Sequence, residues 1–146
     1  MTGAIRTAIV TGGGRGIGAA VARALTGRGL AVTVFARTAG QLERVVAEKG
    51  AALAVAGDVR REEDVARLVA AHERALGPVD VLVNDAGIVE RGLAEELSPG
   101  AFREVLDVNL TGAFLCARAV IPGMKARGRG RIVNVASISG TLGTAG

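Results

Sequence analysis

The sequence predicts an α/β fold, a doubly wound parallel sheet of about five strands in the order 3-2-1-4-5 with helices on both faces. Three observations predict it. Short unbroken apolar runs recur along the chain, amphipathic helical stripes lie between them, and a glycine cluster follows the first run and opens directly into a helix. Strands buried on both faces read as continuous Val, Ile and Ala, whereas half-solvated strands alternate. Strict alternation of strand and helix then requires right-handed crossovers between parallel neighbours.

The expected strands are Ala8–Val10, Ala31–Phe35, Ala51–Ala56, Val79–Val83 and Ile132–Val135. Ile17, Val21 and Leu25 form the stripe of the first helix; Leu42, Val45 and Val46 that of the second; Val65, Leu68, Val69 and Leu76 that of the third. Ser98 before Pro99 reads as an N-cap with proline at the first helical position, opening a helix through Phe102, Val105 and Leu106. Leu110, Phe114, Ala117, Ile121 and Met124 form a further, longer stripe. No linker, repeat or low-complexity tract interrupts this order, so residues 1–146 are read as one domain.

At 146 residues and 49% hydrophobic, the chain is large enough for one core that buries roughly two thirds of its unfolded surface. The single cysteine, Cys116, excludes a disulfide framework; among Phe114, Leu115 and Ala117 it reads as a small buried hydrophobe. One His and one Cys cannot assemble a transition-metal site, and His72 lies on the Val65 to Leu76 stripe, where packing explains it. A net charge of +4 and a pI near 10.5 raise the question of nucleic acid. Scattered arginines, three Phe, and neither Trp nor Tyr argue against it, because stacking platforms are missing. The densest basic run, Lys125, Arg127, Arg129 and Arg131, falls where a helix should end and reads as its solvated, dipole-complementing terminus. No apolar run approaches a membrane span, and a cytoplasmic location is expected.

Chemistry is expected where the strands end, since open α/β sheets bind ligands beyond their strand C-termini. After the first strand comes Thr11-Gly12-Gly13-Gly14-Arg15-Gly16-Ile17-Gly18. Glycines let backbone approach a phosphate without an intervening Cβ, and the helix N-terminus adds free N–H groups and partial positive charge. Gly12, Gly14, Arg15, Gly16, Ile17 and Gly18 are therefore candidate contacts to the diphosphate of a dinucleotide. A phosphate-loop NTPase is excluded, because Ala19 and Ala20 stand where its Lys and Ser or Thr belong. Past the second strand, Ala36 and Arg37 occupy the place of the carboxylate that holds an unphosphorylated adenine ribose. Arg37, helped by Arg15, suits a 2′-phosphate, so NADP(H) is expected in preference to NAD(H). Asp58, followed by Val59, ends the third strand; it is placed either to accept from an adenine amino group or to cap the next helix. Asn84, Asp85, Ala86 and Gly87 follow the fourth strand, where small residues let backbone pass beside a cofactor ribose.

Together, Thr11-Gly12-x-x-x-Gly16-x-Gly18, Asn84-Asp85-Ala86-Gly87, Val108-Asn109-Leu110-Thr111-Gly112 and Gly130-Arg131-Ile132-Val133-Asn134-Val135-Ala136-Ser137 resemble the short-chain dehydrogenase/reductase family, in its order and spacing throughout the chain. The resemblance is nearest to 3-oxoacyl-[acyl-carrier-protein] reductase-like members. It implies a Rossmann-type NAD(P)-binding domain, a small carbonyl or alcohol substrate, no metal, no nucleic-acid or membrane partner, and a dimer or tetramer formed through the Phe114 helix. Ser137 corresponds to the serine that hydrogen-bonds the substrate oxygen, in preference to Ser139. Asn109 corresponds to the asparagine that helps hold a proton-relay water through its main chain, and Asn84 to the one that steadies the central sheet. Asp85 departs from the family, which usually has a second Asn there; mainly its backbone is expected to matter.

The resemblance also implies a Tyr, and a Lys four residues later, about a dozen residues beyond Ser137. The chain ends at Gly146 and contains no Tyr. It is accordingly read as the front half of such an enzyme, incomplete at its C-terminus, inactive alone and prone to self-association. A dinucleotide-binding scaffold without turnover is the alternative.

Overall fold

A computed structural model describes residues 6–140 of the chain. Five parallel strands form one sheet in the order β3-β2-β1-β4-β5: β1 (Thr7–Thr11), β2 (Ala31–Ala36), β3 (Leu53–Ala56), β4 (Val81–Asn84) and β5 (Arg131–Asn134). This is the expected order. The helices are α1 (Gly16–Thr26), α2 (Ala39–Ala47), α3 (Glu62–Leu76), α4 (Pro99–Leu106) and α5 (Gly112–Ala126). β3 and β4 each begin two residues later than the apolar runs suggest, because Ala51 and Val79 are buried by packing without joining the ladder.

Strand periodicity divides the core into two layers. Ala8, Val10, Val32, Val34, Val81 and Val83 point to one face and meet Ala19 and Ala22 of α1 and Leu42 and Val45 of α2. Ile9, Phe35, Val55 and Leu82 point to the other and meet Val65 and Leu68 of α3 and Cys116, Val120 and Met124 of α5. Full burial of each Ile, Leu or Phe contributes about 1.5–3 kcal/mol. His72 belongs to the second layer, fully buried, with Nδ1 2.8 Å from Thr33 Oγ1. Desolvation lowers its pKa to about 4, partly countered by Asp80, so the ring is neutral at physiological pH. Burial likewise pushes the Cys116 thiol up to about 12.

Several expectations need correction. In α1 the core-facing residues are Gly18, Ala19 and Ala22, while Ile17 is exposed; close helix-to-sheet contact above the glycine loop selects small side chains. In α5 the inner line is Gly112, Cys116, Val120 and Met124, so of the expected stripe Met124 alone is buried, with Leu110, Phe114 and Ile121 facing outward. The β5 residues are all exposed, and neither buried layer of the core includes a side chain from this edge strand. The basic run past α5 is also more than a solvated terminus. Arg127 Nη2 donates to the Val79 carbonyl at 2.6 Å, and Arg129 pairs with the buried Asp80 at 3.4 Å.

α4 and α5 are continuous through a π-helical segment, Asp107–Thr111. The Ser98 hydroxyl caps the start by accepting from Ala101 N at 3.1 Å, as expected. The joined helix, Pro99–Ala126, is 28 residues with a mean hydropathy of 1.4 over its most apolar stretch, so by length and composition alone it meets the measure of a bilayer span, one that core helices of soluble proteins also meet. That corrects the expectation that nothing approaches this length. Asp107 and Arg118 interrupt the apolar run in sequence, yet the helix that carries them is unbroken.

Candidate functional site

The strand C-termini and the loops that follow them enclose a cavity of about 510 Å³. Gly12, Gly14, Arg15, Gly16 and Ile17 line it from the β1–α1 loop, Arg37 from the end of β2, Asp58 and Val59 from the end of β3, and Ala86 and Gly87 from the end of β4. Ten of the fourteen candidate contact and catalytic residues thus meet on one surface, with Asp85 beside them. Gly18, Asn84, Asn109 and Ser137 lie off its lining.

Backbone geometry explains the glycines. Gly12 has φ +68°, and a Cβ there would come within 2.9 Å of the Ala86 amide nitrogen. At Gly18 a Cβ would collide with the Gly12 carbonyl, so α1 approaches the loop through a bare backbone. Gly16 differs: φ is +54°, but a Cβ would meet nothing within 4 Å. Open space above an amide-rich helix start is the cradle a diphosphate needs. Thr11 fixes this loop to the next one, its hydroxyl accepting from Asp85 N and Ala86 N, each at 3.2 Å.

Charge around the cavity is uneven. Arg15 and Arg37 line it and are exposed, and their guanidiniums make no hydrogen bond or ion pair among the described residues. Arg60 is committed: its Nε and Nη2 grip the Asp58 carboxylate at 3.0 and 2.6 Å, and its Nη1 reaches Glu104 of α4 at 3.3 Å. The Arg60 hydrogen bonds hold the Asp58 carboxyl below its usual range against its partial burial. The capping alternative for Asp58 does not hold, since α3 opens at Glu62 after Arg61, and Asp58 N instead donates to Asp64 Oδ2 at 2.9 Å. Asp85 contributes more than backbone. Its carboxylate faces the Gly18 amide, with Oδ2 2.7 Å from where a Gly18 Cβ would stand. Burial raises its pKa, and the Gly18 N–H partly offsets the rise.

Beside the cavity, Asn84 Nδ2 donates to Asn134 Oδ1 at 2.9 Å and to the Ala113 carbonyl at 3.3 Å, joining β4, β5 and α5. Asn109, in the π-helical segment, exchanges two hydrogen bonds with the Ile88 backbone. Ser137 follows β5, exposed, its Oγ accepting from Ser139 N at 3.2 Å as the chain turns into Ile138–Gly140. No His, Cys, Asp and Glu cluster suited to a metal occurs among the described residues.

Sequence reasoning missed Thr38, Gln41, Ile88 and Val108, which also line the cavity. Thr38 and Gln41 had a signal, for they start α2 immediately after Arg37 and so must face the same end of the sheet. Val108 also had one, standing next to Asn109 in the Val108-Asn109-Leu110-Thr111-Gly112 motif, whereas Ile88 had none, being an apolar residue brought there by the Asn109 contact.

The family model described as short chain dehydrogenase matches residues 6–146. The chain is 43% identical over 144 residues to a cis-4-hydroxycyclohexanecarboxylate dehydrogenase of Sinomonas cyclohexanicum, covering 96% of this chain and 58% of that protein. It is 38% identical over 146 residues to a 3-oxoacyl-[acyl-carrier-protein] reductase of Synechocystis sp., covering 97% of this chain and 59% of that one. An acetoacetyl-CoA reductase of Shinella zoogloeoides is 41% identical over 142 residues, with 97% and 58% covered. Among solved structures, a variant actinorhodin polyketide ketoreductase with NADPH superposes with a TM-score of 0.91 at 40% identity, covering 95% of this chain and 56% of that one. The chain thus spans a little under three fifths of the length of the curated relatives it matches.

Proposed function

The chain belongs to the short-chain dehydrogenase family, and from that premise we propose that it holds a nicotinamide dinucleotide, NADP(H) in preference to NAD(H), for an oxidoreductase that interconverts a carbonyl and an alcohol. One observation carries the reading. The 510 Å³ cavity brings the bare Gly16 amide, the start of α1 and the two uncommitted guanidiniums of Arg15 and Arg37 onto a single surface.

In this reading the loop amides from Gly14 to Ile17 hold the diphosphate, and Arg37 with Arg15 pairs with a 2′-phosphate. Asp58 and Val59 face the adenine, while Asn84, Ala86 and Gly87 keep the β4 end narrow beside the ribose. The nicotinamide, when bound, supplies or accepts the hydride. Ser137 donates to the substrate oxygen, and the Asn109 main chain holds a water in the proton path. Proton transfer to that oxygen needs a group of suitable pKa within hydrogen-bond reach. With no Tyr among its 146 residues, this chain alone binds the dinucleotide without turnover at a normal rate.

Relatives named for 3-oxoacyl and acetoacetyl reduction, and a neighbour solved with NADPH, support a 3-oxoacyl thioester as the substrate class and reduction as the direction. The outward Leu110, Phe114 and Ile121 of the α4–α5 helix support assembly into a dimer or tetramer. A soluble, cytoplasmic enzyme fits a chain whose one thiol is buried and unpaired.

Titration with NADPH and NADH, followed by nucleotide fluorescence, tests the proposal. Saturable binding with NADPH the tighter ligand supports it; binding of neither nucleotide sinks it, and tighter NADH overturns the cofactor preference alone.

A further inference from the structure

We propose that Asp85 sets the affinity and the pH dependence of dinucleotide binding, because its carboxylate shares the start of α1 with the cofactor's diphosphate. The inference rests on the cofactor reading above. Asp85 lines the same cavity as Gly14 and Gly16, and its carboxylate faces the amide of Gly18, two residues into α1. A helix start offers one small region of positive potential, equivalent to roughly half an elementary charge. An ionised Asp85 already draws on it. A diphosphate arriving there is a second anion in the same partly desolvated pocket, and like charges so placed disfavour one another.

The conflict resolves by uptake of one solvent proton on the Asp85 carboxylate. The resulting acid is neutral and still accepts from the Gly18 N–H through its carbonyl oxygen. Burial already favours that neutral form, and a bound anion favours it further. Other charged groups around Asp85 do not take over this role. Arg15 in the glycine loop and Arg37 after β2 line the cavity as guanidiniums, and the Asp58 carboxylate is gripped by Arg60, which holds its pKa below the usual range. Asp107, in the π-helical segment behind the β4 loop, is exposed. Asparagine, the family's usual residue here, would offer its amide oxygen to Gly18 without the charge.

Calorimetric titration with NAD⁺ and NADP⁺ from pH 5.5 to 8 tests the inference, with NAD⁺ included because its diphosphate does not titrate there. The wild-type Kd for NAD⁺ should rise roughly tenfold across that range, while Asp85→Asn should show a flat profile and bind about tenfold tighter at pH 8. Repeating the titration in two buffers of different ionisation enthalpy should show proton uptake by the wild type and none by Asp85→Asn. Parallel pH profiles for the two proteins overturn the inference. If Asp85→Asn does not fold, zero proton uptake by the wild type at every pH overturns it equally. Failure of the wild type to bind either nucleotide rejects the cofactor reading itself, an outcome distinct from a wild type that binds without proton uptake.

Discussion

Asn109 and Ile88 bond reciprocally: the Asn109 side-chain oxygen accepts from Ile88 N at 2.8 Å, and its Nδ2 donates to the Ile88 carbonyl at 2.9 Å. Both polar ends of the side chain are thereby spent on holding the loop after β4 against the π-helical segment. A part for Asn109 in proton transfer must therefore run through its main chain, and π-helical segments, frequent at functional sites, rearrange main-chain carbonyls.

Asn109→Ala removes both bonds and should cost about 1–2 kcal/mol in urea denaturation. Dinucleotide affinity should fall with it, because Gly87 and Ile88 line the cavity and lose their anchor. Unchanged affinity together with lost stability would show that the loop keeps its position without Asn109.

Gly16 and Gly18 should separate binding from folding. Gly16→Ala meets open space but must hold φ at +54°, at a cost of about 1 kcal/mol. The chain should fold, yet its new methyl stands where the diphosphate approaches, and nucleotide titration should show at least a tenfold loss of affinity. Gly18→Ala drives Cβ into the Gly12 carbonyl and against Asp85, so thermal denaturation should show several kcal/mol lost, or no folded protein at all. Equal stabilities for the two variants would contradict the geometry of the loop.

Strand order, the glycine loop and the Ser98 cap were legible because each is written locally, in a run of Val and Ile, a cluster of glycines or a Ser-Pro pair. The outer stripe of α5 misled for a physical reason. Leu110, Phe114 and Ile121 are the larger side chains and suggest a core face, whereas contact with the sheet selects Gly112, Cys116, Val120 and Met124 at a spacing of four. The same preference for small residues hid the inner face of α1. Asp85 was undervalued because the sequence shows only a loop carboxylate; its approach to Gly18 depends on how β1 and β4 pair, as does every contact between distant loops at this site.

Arg37 makes no ion pair among the described residues and lines the cavity at the end of β2. Arg37→Ala should therefore leave stability within experimental error and weaken NADPH by about tenfold or more, with little change for NADH, as expected for loss of a charge-assisted hydrogen bond to a phosphate. Equal weakening of both nucleotides would place Arg37 on the diphosphate instead.

His72 should make stability depend on pH in a definite direction. Its folded pKa is about 4, and its unfolded value is the ordinary 6.5. Between these values the unfolded chain holds a proton that the folded chain excludes, so stability is complete above about pH 6.5 and is lost as pH falls toward 4. The full effect is on the order of 3 kcal/mol. His72→Gln keeps a polar partner for Thr33 and removes the titration, though it costs some packing at every pH. Urea midpoints measured for both proteins at pH 7.5, 6.5, 5.5 and 4.5 isolate the contribution, because carboxylate titrations are common to the two and cancel in the difference. The wild-type advantage should shrink steadily below pH 6.5. A difference constant across that range would mean that the imidazole protonates without leaving the core, and that Asp80, or water at the unpartnered Nε2, stabilises its charge.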